Sequence, residues 1–186
     1  MTAWWGLVAP RTRETRPLTV VQGVVLRPAA RDGAGHREVL LSIRSDLFGW
    51  ELPGGTPERG ETREQTLARE IAEETGLEVE VETHVGDWVR SGFRPHTARI
   101  YLCRVVGGRA RPSSETPRVG WFPAGAPPAS LFPWYREPLR RALAGEQGLR
   151  VEERQGPRFI FGAMWIDLRM RWRGLPAPSE PDSGAD

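Results

Sequence analysis

The amino-acid sequence predicts an α/β fold in one domain, and three observations support this. Its 186 residues suit a single domain with a substantial core. Hydrophobic residues make up 39% of the chain and charged residues 27%, as in ordinary globular proteins. Short β-branched apolar stretches alternate with helix-forming ones, and clusters of Gly and Pro separate them. We expect one domain at 1–175, with a core at about 18–144, an extension at 145–175 and a disordered tail at 176–186.

Two strands are predicted before the first long loop. Leu18–Leu26 (LTVVQGVVL) is rich in β-branched residues, which indicates a buried strand. A turn at 28–35 leads into a second strand at Glu38–Arg44. Residues 45–60 are rich in Gly and Pro, which predicts a loop before the first helix.

The first predicted helix spans Thr62–Thr75, with Gly76 placed to end it. At about 100° per residue, its apolar residues gather on one side and its glutamates on the other. The elements that follow are strands at Leu77–Thr83, Val85–Val89, Thr97–Val106 and Arg118–Phe122, and a helix at Tyr135–Ala144 with Pro138 in its first turn.

An alternating pattern near the C-terminus predicts one more strand. Between Met164 and Trp172 every second residue is apolar, and Asp167, Arg169 and Arg171 lie between them. A period of two is typical of a half-buried strand, so the extension is expected to contribute a strand. Its arginines are either a solvated outer strand face or a surface that contacts substrate or a partner.

Charge and composition limit the expected partners and location. The formal net charge is +2 with a pI near 9.3, and the basic residues are arginines, whose planar fork suits phosphate. No dense basic run predicts a nucleic-acid partner. The single cysteine, Cys103, cannot form an internal disulfide. No apolar run has membrane-spanning length and no secretory signal is evident, so we expect a cytoplasmic protein without a membrane partner.

Three glutamates crowd one face of the first predicted helix. Glu70, Glu73 and Glu74 lie within five positions, where like charges at i,i+4 repel and Arg69 offsets only part of the repulsion. The turn PGG at 53–55 precedes the helix and leaves backbone carbonyls available. Carboxylates beside carbonyls suit a hard cation such as Mg²⁺, whereas no His or Cys lies nearby for zinc. A solvated helix face is the simpler alternative.

The spacing around these glutamates carries a family resemblance. From Gly55 the chain reads five residues, Glu61, seven residues, and then REIAEETGL at 69–77. This spacing resembles the Nudix box at every specified position, and the order of the flanking strands is similar to the Nudix α/β/α sandwich with a mixed sheet. The resemblance implies a metal-dependent hydrolase that cleaves the diphosphate linkage of a nucleoside diphosphate joined to another moiety.

The resemblance also implies a metal site. Its ligands for Mg²⁺, with Mn²⁺ as an alternative, are Glu70, Glu73, Glu74 and the Gly55 carbonyl.

Residues around that site take supporting roles by the same resemblance. Glu61 and Arg69 are expected to brace the loop against the helix. Glu115, in a loop before a short strand, is expected to add a further catalytic carboxylate; otherwise it is an ordinary loop acid. Either Glu70 or Glu115 takes the proton from the attacking water, and the sequence does not separate them.

Three residues of the loop before the box are candidates for binding the nucleotide. Arg44 ends the preceding strand and can reach the phosphates, or is a solvent-exposed cation. Phe48 and Trp50 can stack on a base or ring, or simply pack under the loop.

The substrate stays open between nucleoside triphosphates and nucleotide sugars such as ADP-ribose. Two alternatives are removal of an RNA cap or 5′ end, which is favoured if the arginines of 164–173 bind the chain, and a non-catalytic nucleotide-sensing module. Trp4 and Trp5, together with the late strand, are also expected to form a homodimer contact if the protein dimerises.

Overall fold

The computed structural model describes residues 18–29, 37–92 and 95–174. Trp4, Trp5 and the tail at 176–186 lie outside the described residues. The strands are β1 (Leu18–Pro28), β2 (Arg37–Ile43), β3 (Gly54–Gly55), β4 (Leu77–Gly92), β5 (His96–Gly108), β6 (Arg118–Pro123) and β7 (Leu149–Gln155), and the helices are α1 (Arg63–Thr75), α2 (Pro133–Leu143) and α3 (Pro157–Arg173).

The strands form one mixed sheet, which confirms the predicted class. Their order is β6-β2-β1-β5-β4-β7, and β3 pairs with β1 beside this path. The β1–β5 and β4–β7 pairs are parallel and the other pairs are antiparallel.

Helices cover both faces of the sheet, as the α/β/α prediction requires. Alternate residues of β1 point to opposite faces. Val21 belongs to one buried cluster with Ile71 of α1, whereas Val24 belongs to a second cluster with Leu139 of α2 and Ala163 of α3. Each layer therefore has its own core.

Local signals place α1 where it was predicted. The Thr62 side chain accepts a hydrogen bond from the Gln65 N–H, and the Gln65 side chain accepts one from the Thr62 N–H. Gly76 ends the helix at φ 74°, a left-handed conformation that favours glycine. Both ends are thus encoded in the neighbouring residues.

The two strands predicted at Leu77–Thr83 and Val85–Val89 are one continuous strand, β4. Its pairing with β5 shifts register at Glu78/Val79, Val81/Thr83 and His84/Gly86. The second and third shifts each place one extra residue in β4, which moves the following side chains to the other face, so the alternation is interrupted although the strand continues.

Helix α2 begins at Pro133, two residues before the predicted start, so Pro138 lies inside the helix rather than in its first turn. Proline has no N–H and cannot donate to the carbonyl four residues earlier. That carbonyl, of Trp134, accepts a hydrogen bond from Arg90 Nη2 at 2.7 Å. Arg90 is buried and also pairs with Glu153 of β7 at 2.9 Å.

Helix α3 occupies the region predicted as a strand at Met164–Trp172, so that prediction is wrong. Ile166 and Met170 pack against the core, while Leu168 and Trp172 face solvent. Apolar residues on both sides of the helix interleave in the sequence and imitate a period of two. The extension does contain a strand, but it is β7.

The arginines of 164–173 therefore lie on a helix rather than on a strand face. None of the helices in the described part of the chain is long and apolar enough to span a membrane.

Candidate functional site

The residues between β2 and α1, here called the site loop (residues 44–55), bring the predicted site together. Its C-terminal end is β3, where Gly54 and Gly55 pair with β1. Pro53 adds a further link, because its carbonyl accepts the Gly23 N–H at 2.9 Å. The central strand β1 thus holds the glycine turn against α1.

Glu74 is the most buried of the three box glutamates. Its Oε2 accepts the Gly54 N–H at 3.1 Å, and only 8% of the residue is exposed. Burial raises the pKa of Glu74 to about 7, an effect that the Gly54 hydrogen bond reduces and the negative charge of Glu70 increases. Glu74 is therefore a carboxylate whose charge is only partly offset in the described residues.

Glu70 lies directly beside Gly55. A Cβ atom added at Gly55 would come within 2.3 Å of the Glu70 carboxyl carbon, so no larger residue fits without displacing this carboxylate. Burial raises the pKa of Glu70, Arg69 opposes that shift, and Glu115 adds to it. Glycine is needed at position 55 because the carboxylate approaches the backbone closely.

Arg69 joins the third glutamate to the loop. Its guanidinium grips both oxygens of Glu61, at 2.7 Å and 3.0 Å, and reaches Glu73 at 3.1 Å. Arg69 holds the pKa of Glu61 down to about 2. This is the bracing pair that the resemblance implied. Glu73, in contrast, points its carboxylate largely into solvent.

Glu115 and Arg44 are further charged groups near the box glutamates. The Ser45 N–H donates to the Glu115 carbonyl at 2.9 Å, which ties the Glu115 loop to the site loop. The negative charge of Glu115 raises the pKa of both Glu70 and Glu74. Arg44 forms a two-point contact with Asp46, at 2.9 Å and 3.3 Å. Asp46, together with the nearby acids, raises the pKa of Arg44.

Glu51 is a site residue that the sequence reasoning missed. Burial raises its pKa to about 8, and Glu74 adds to the shift while Arg44 opposes it. The Tyr135 hydroxyl lies 3.3 Å from Glu51 Oε2 and accepts a hydrogen bond from Gln22 at 2.8 Å. The available signal was an acid inside an otherwise apolar stretch, between Trp50 and Leu52.

The two aromatic candidates occupy different environments. Trp50 is only 5% exposed and packs edge-on against Phe122, with ring centroids 4.7 Å apart, so its ring has no face free for a base. We therefore correct its proposed stacking role to packing. One face of Phe48 is covered by the Arg171 guanidinium at 4.3 Å, and the Phe48 N–H donates to Asp167 at 2.7 Å.

The donor set fits a hard divalent ion by its chemistry. Within residues 18–29, 37–92 and 95–174, no three His, Cys, Asp or Glu side chains lie close enough together to form a ligand cluster. The groups around the glycine turn are nevertheless carboxylates and backbone carbonyls, which Mg²⁺ prefers. The raised pKa values of Glu70 and Glu74 indicate negative charge that a cation would stabilise.

Comparisons with known proteins find a matching family model and several relatives. A NUDIX domain model matches residues 19–142. A MutT-like protein of Streptomyces ambofaciens is 37% identical over 141 residues, which is 75% of this chain and 85% of the relative. A putative 8-oxo-dGTP diphosphatase of Bacillus subtilis is 29% identical over 116 residues, covering 62% of this chain and 77% of the relative.

One solved structure among the matches is an ADP-ribose pyrophosphatase from Streptococcus suis. It superposes with a TM-score of 0.57 at 24% identity and covers 74% of this chain and 100% of its own. At that identity the match supports the fold alone.

Proposed function

The chain belongs to the NUDIX family and is a pyrophosphohydrolase, and on that premise we propose that it hydrolyses nucleoside triphosphates with Mg²⁺ or Mn²⁺ and releases pyrophosphate. The observation that carries the proposal is the buried Glu74 carboxylate beside the Gly54–Gly55 turn. A buried charge with no full counter-charge is costly unless a ligand supplies it. The proposed ligand is the divalent cation that accompanies the phosphates.

The names of two relatives support the substrate class. One is called MutT-like and the other a putative 8-oxo-dGTP diphosphatase. We therefore propose nucleoside triphosphates, with oxidised purine nucleotides tested first, ahead of nucleotide sugars.

The chain's own residues would bind the metal and orient the substrate. Glu70, Glu73, Glu74 and the Gly55 carbonyl would hold the ion. A divalent ion bound there would neutralise phosphate charge and make a water molecule more acidic. Arg44 would oppose the remaining phosphate charge.

Two carboxylates compete for the proton of the attacking water. Glu70 is paired with Arg69 at 3.2 Å, whereas Glu115 is exposed in its loop. A general base must reach the water and be ionised at the working pH. Comparing Glu70→Gln with Glu115→Gln decides the assignment: the variant that removes the acid limb of the kcat profile identifies the base.

A substrate panel tests the proposal directly. Purified protein would be incubated with dGTP, 8-oxo-dGTP, ADP-ribose and a UDP-sugar, with Mg²⁺, Mn²⁺ or excess chelator. Phosphate, pyrophosphate and nucleoside monophosphate would be measured separately, because the last two substrates yield a nucleoside monophosphate and a sugar phosphate. We expect pyrophosphate from a triphosphate only when metal is present. Full activity in chelator would refute the metal site, and formation of AMP from ADP-ribose without cleavage of any triphosphate would refute the substrate class.

A further inference from the structure

The outer face of α3 exposes large apolar side chains in a row, here called the α3 stripe. Phe161, Trp165, Leu168 and Trp172 are 67%, 66%, 60% and 88% exposed. At about 100° per residue they fall within roughly 60° of the helix circumference, and at 1.5 Å per residue the row is about 16 Å long. The face opposite to the core is therefore apolar as well.

This stripe is large for a protein surface. A Trp or Phe side chain carries about 150–250 Å² of surface, so the three exposed aromatics alone present roughly 500 Å². The largest apolar patch on a typical monomer is about 300–600 Å² and is often functional. Leu168 and the half-exposed Met164 extend the patch beyond its aromatic members. Its size indicates a binding surface.

The charge beside the stripe has one sign. Three arginines of α3 lie on one side of the stripe, within about 80° of Trp165 around the helix. They are Arg158, Arg169 and Arg173. The only acid in α3 is Asp167, which is 1% exposed and paired with Arg171 at 2.8 Å. No exposed carboxylate of this helix offsets the three arginines, so the charge of α3 favours an anionic occupant.

That charge disfavours a second copy of the chain. Two α3 helices paired along their stripes would bring arginines beside arginines without an acid to separate them. Nucleic acid fits less well, because Leu168 and Met164 provide no surface on which a base stacks. A lipid surface would contact every residue of the stripe and its arginines. The apolar side chains would enter the acyl boundary, Trp would lie at the interface, and the arginines would contact the headgroup phosphates.

We propose that the α3 stripe binds the surface of an anionic lipid bilayer. Helix α3 would lie in the plane of the interface, with its inner face still packed on the sheet. The stripe lies outside the matched residues 19–142, so this property belongs to the extension rather than to the family domain. The earlier expectation of no membrane partner rested on the lack of a spanning segment, which a surface helix does not need.

Vesicle binding tests the proposal without any enzymatic readout. The protein would be sedimented with vesicles of phosphatidylcholine, or of phosphatidylcholine and phosphatidylglycerol, at low and high salt. We expect binding to the anionic vesicles that falls with salt, together with a blue shift of Trp fluorescence. Two double variants should each bind at least about tenfold more weakly: Trp165→Ser/Trp172→Ser and Arg169→Gln/Arg173→Gln.

The matched control is Val106→Ser/Arg154→Gln, which changes an exposed apolar residue and an exposed arginine elsewhere on the surface. It should bind like the unmodified protein. Three results would overturn the proposal. They are equal binding to neutral vesicles, no binding to any vesicle, and a dimer in light scattering that the Trp165→Ser/Trp172→Ser variant abolishes. Preferential binding to single-stranded RNA would overturn it in favour of a nucleic-acid surface.

A separate observation concerns the inner face of α3. The buried Asp167 accepts the Phe48 N–H at 2.7 Å and the Arg171 guanidinium at 2.8 Å. Arg171 also donates to the Asp46 carbonyl at 3.0 Å and covers the Phe48 ring. The site loop is therefore held by a carboxylate more than a hundred positions away in the sequence.

The geometry points to Asp167 as a positioning residue for the proposed reaction. It holds Phe48 directly and Asp46 through Arg171. Asp46 in turn holds Arg44 beside Glu51 and Glu74. This inference rests on the proposed function, because it assigns Arg44 to the phosphates. Asp167 itself lies outside the family-matched region and touches no reacting group.

Hydrogen exchange and kinetics test this role together. Asp167→Ala should speed exchange of the Phe48 amide, and it should raise KM for the nucleotide about tenfold with a smaller change in kcat. Asp167→Asn keeps an oxygen that accepts the Phe48 N–H and should recover part of both effects. Arg154→Ala, at an exposed position of β7, should change neither.

The two readouts separate the possible failures. Unchanged Phe48 exchange in Asp167→Ala would refute the loop contact, whatever the activity. Faster exchange with unchanged KM would refute the positioning role. A normal exchange pattern in an unmodified protein that cleaves no nucleotide would refute the proposed function and leave the loop contact intact.

Discussion

Two buried carboxylates, one on each side of the sheet, hold the site loop by accepting a hydrogen bond from one of its backbone N–H groups. Glu74 of α1 accepts the Gly54 N–H, and Asp167 of α3 accepts the Phe48 N–H. They differ in what balances their charge. Asp167 has Arg171 at 2.8 Å, whereas Glu74 shares its surroundings with Glu70, Glu115 and the more distant Arg44.

The difference separates a structural carboxylate from one kept for a ligand. A buried charge with a close counter-ion stabilises a fold when its hydrogen bonds are satisfied, and removing either partner is costly. A buried charge surrounded by other acids opposes folding, and its presence is explained by the cation that the proposed reaction uses. Substitutions at the two positions should therefore have opposite effects.

The largest expected effect is on activity at Glu74. Glu74→Gln should reduce kcat/KM about a hundredfold or more, because the proposed metal loses a charged ligand. Without metal, its melting temperature should equal or exceed that of the unmodified protein, since an uncompensated buried charge is gone. Glu64→Gln, in the first turn of the same helix, is the control. A strongly destabilised Glu74→Gln would show that this glutamate is structural.

Asp167 should show the reverse order of effects. Asp167→Ala should lower the free energy of unfolding by about 3 kcal/mol, because it leaves Arg171 and the Phe48 N–H without their partner. Urea denaturation followed by circular dichroism measures this change. A loss below about 0.5 kcal/mol, the size of an ordinary surface substitution, would contradict the structural role.

Gly55 tests whether the approach of Glu70 to the backbone matters. Gly55→Ala places a methyl group 2.3 Å from the Glu70 carboxyl carbon and should displace that side chain. We expect activity to fall about tenfold while the protein stays folded. Gly125→Ala is the matched control, because a Cβ at Gly125 meets nothing within 4 Å. Equal activity of the two variants would remove Glu70 from the site.

A further effect concerns Glu51 and the pH dependence of stability. Its pKa rises from an ordinary 4.5 to about 8 in the folded protein, so between these values only the folded state keeps the proton. Stability of the metal-free protein should therefore fall as pH rises through this window, by at most about 1.4 kcal/mol per pH unit from this group. Thermal unfolding in chelator measures the slope, which Glu51→Gln should reduce. Glu152→Gln, at an exposed position, should leave it unchanged, and an equal slope in both variants would contradict the burial of Glu51.

Local sequence signals made the part of the site that lies on α1 and the glycine turn predictable. Helix α1 carries its own capping residues at both ends, and its glutamates follow a short fixed spacing from Gly55. The family resemblance rests on this local spacing, and the resemblance implied the mixed sheet and the loop brace between Glu61 and Arg69. Information of this kind needs no knowledge of the tertiary structure.

The missed residues act through contacts that sequence patterns do not show. Glu51 matters because Tyr135, 84 positions away, and Arg44 converge on it. Asp167 matters because it reaches Phe48, 119 positions away. Helix α3 was mistaken for a strand because apolar residues on two opposite faces have the same alternation as one face of a strand. Only the packing of the inner face reveals which period is real.

Strand β7 has a consequence for any shortened form of this protein. It covers the open side of β4, pairing 86–92 with 149–155, and it supplies the carboxylate of Glu153 to the buried Arg90. The family-matched residues end at 142, before this strand begins. A chain cut there would leave a row of unsatisfied backbone groups along β4 and a buried cation without its partner. Copies of such a fragment should pair with one another along the exposed edge of β4 and precipitate, although each contains the whole box.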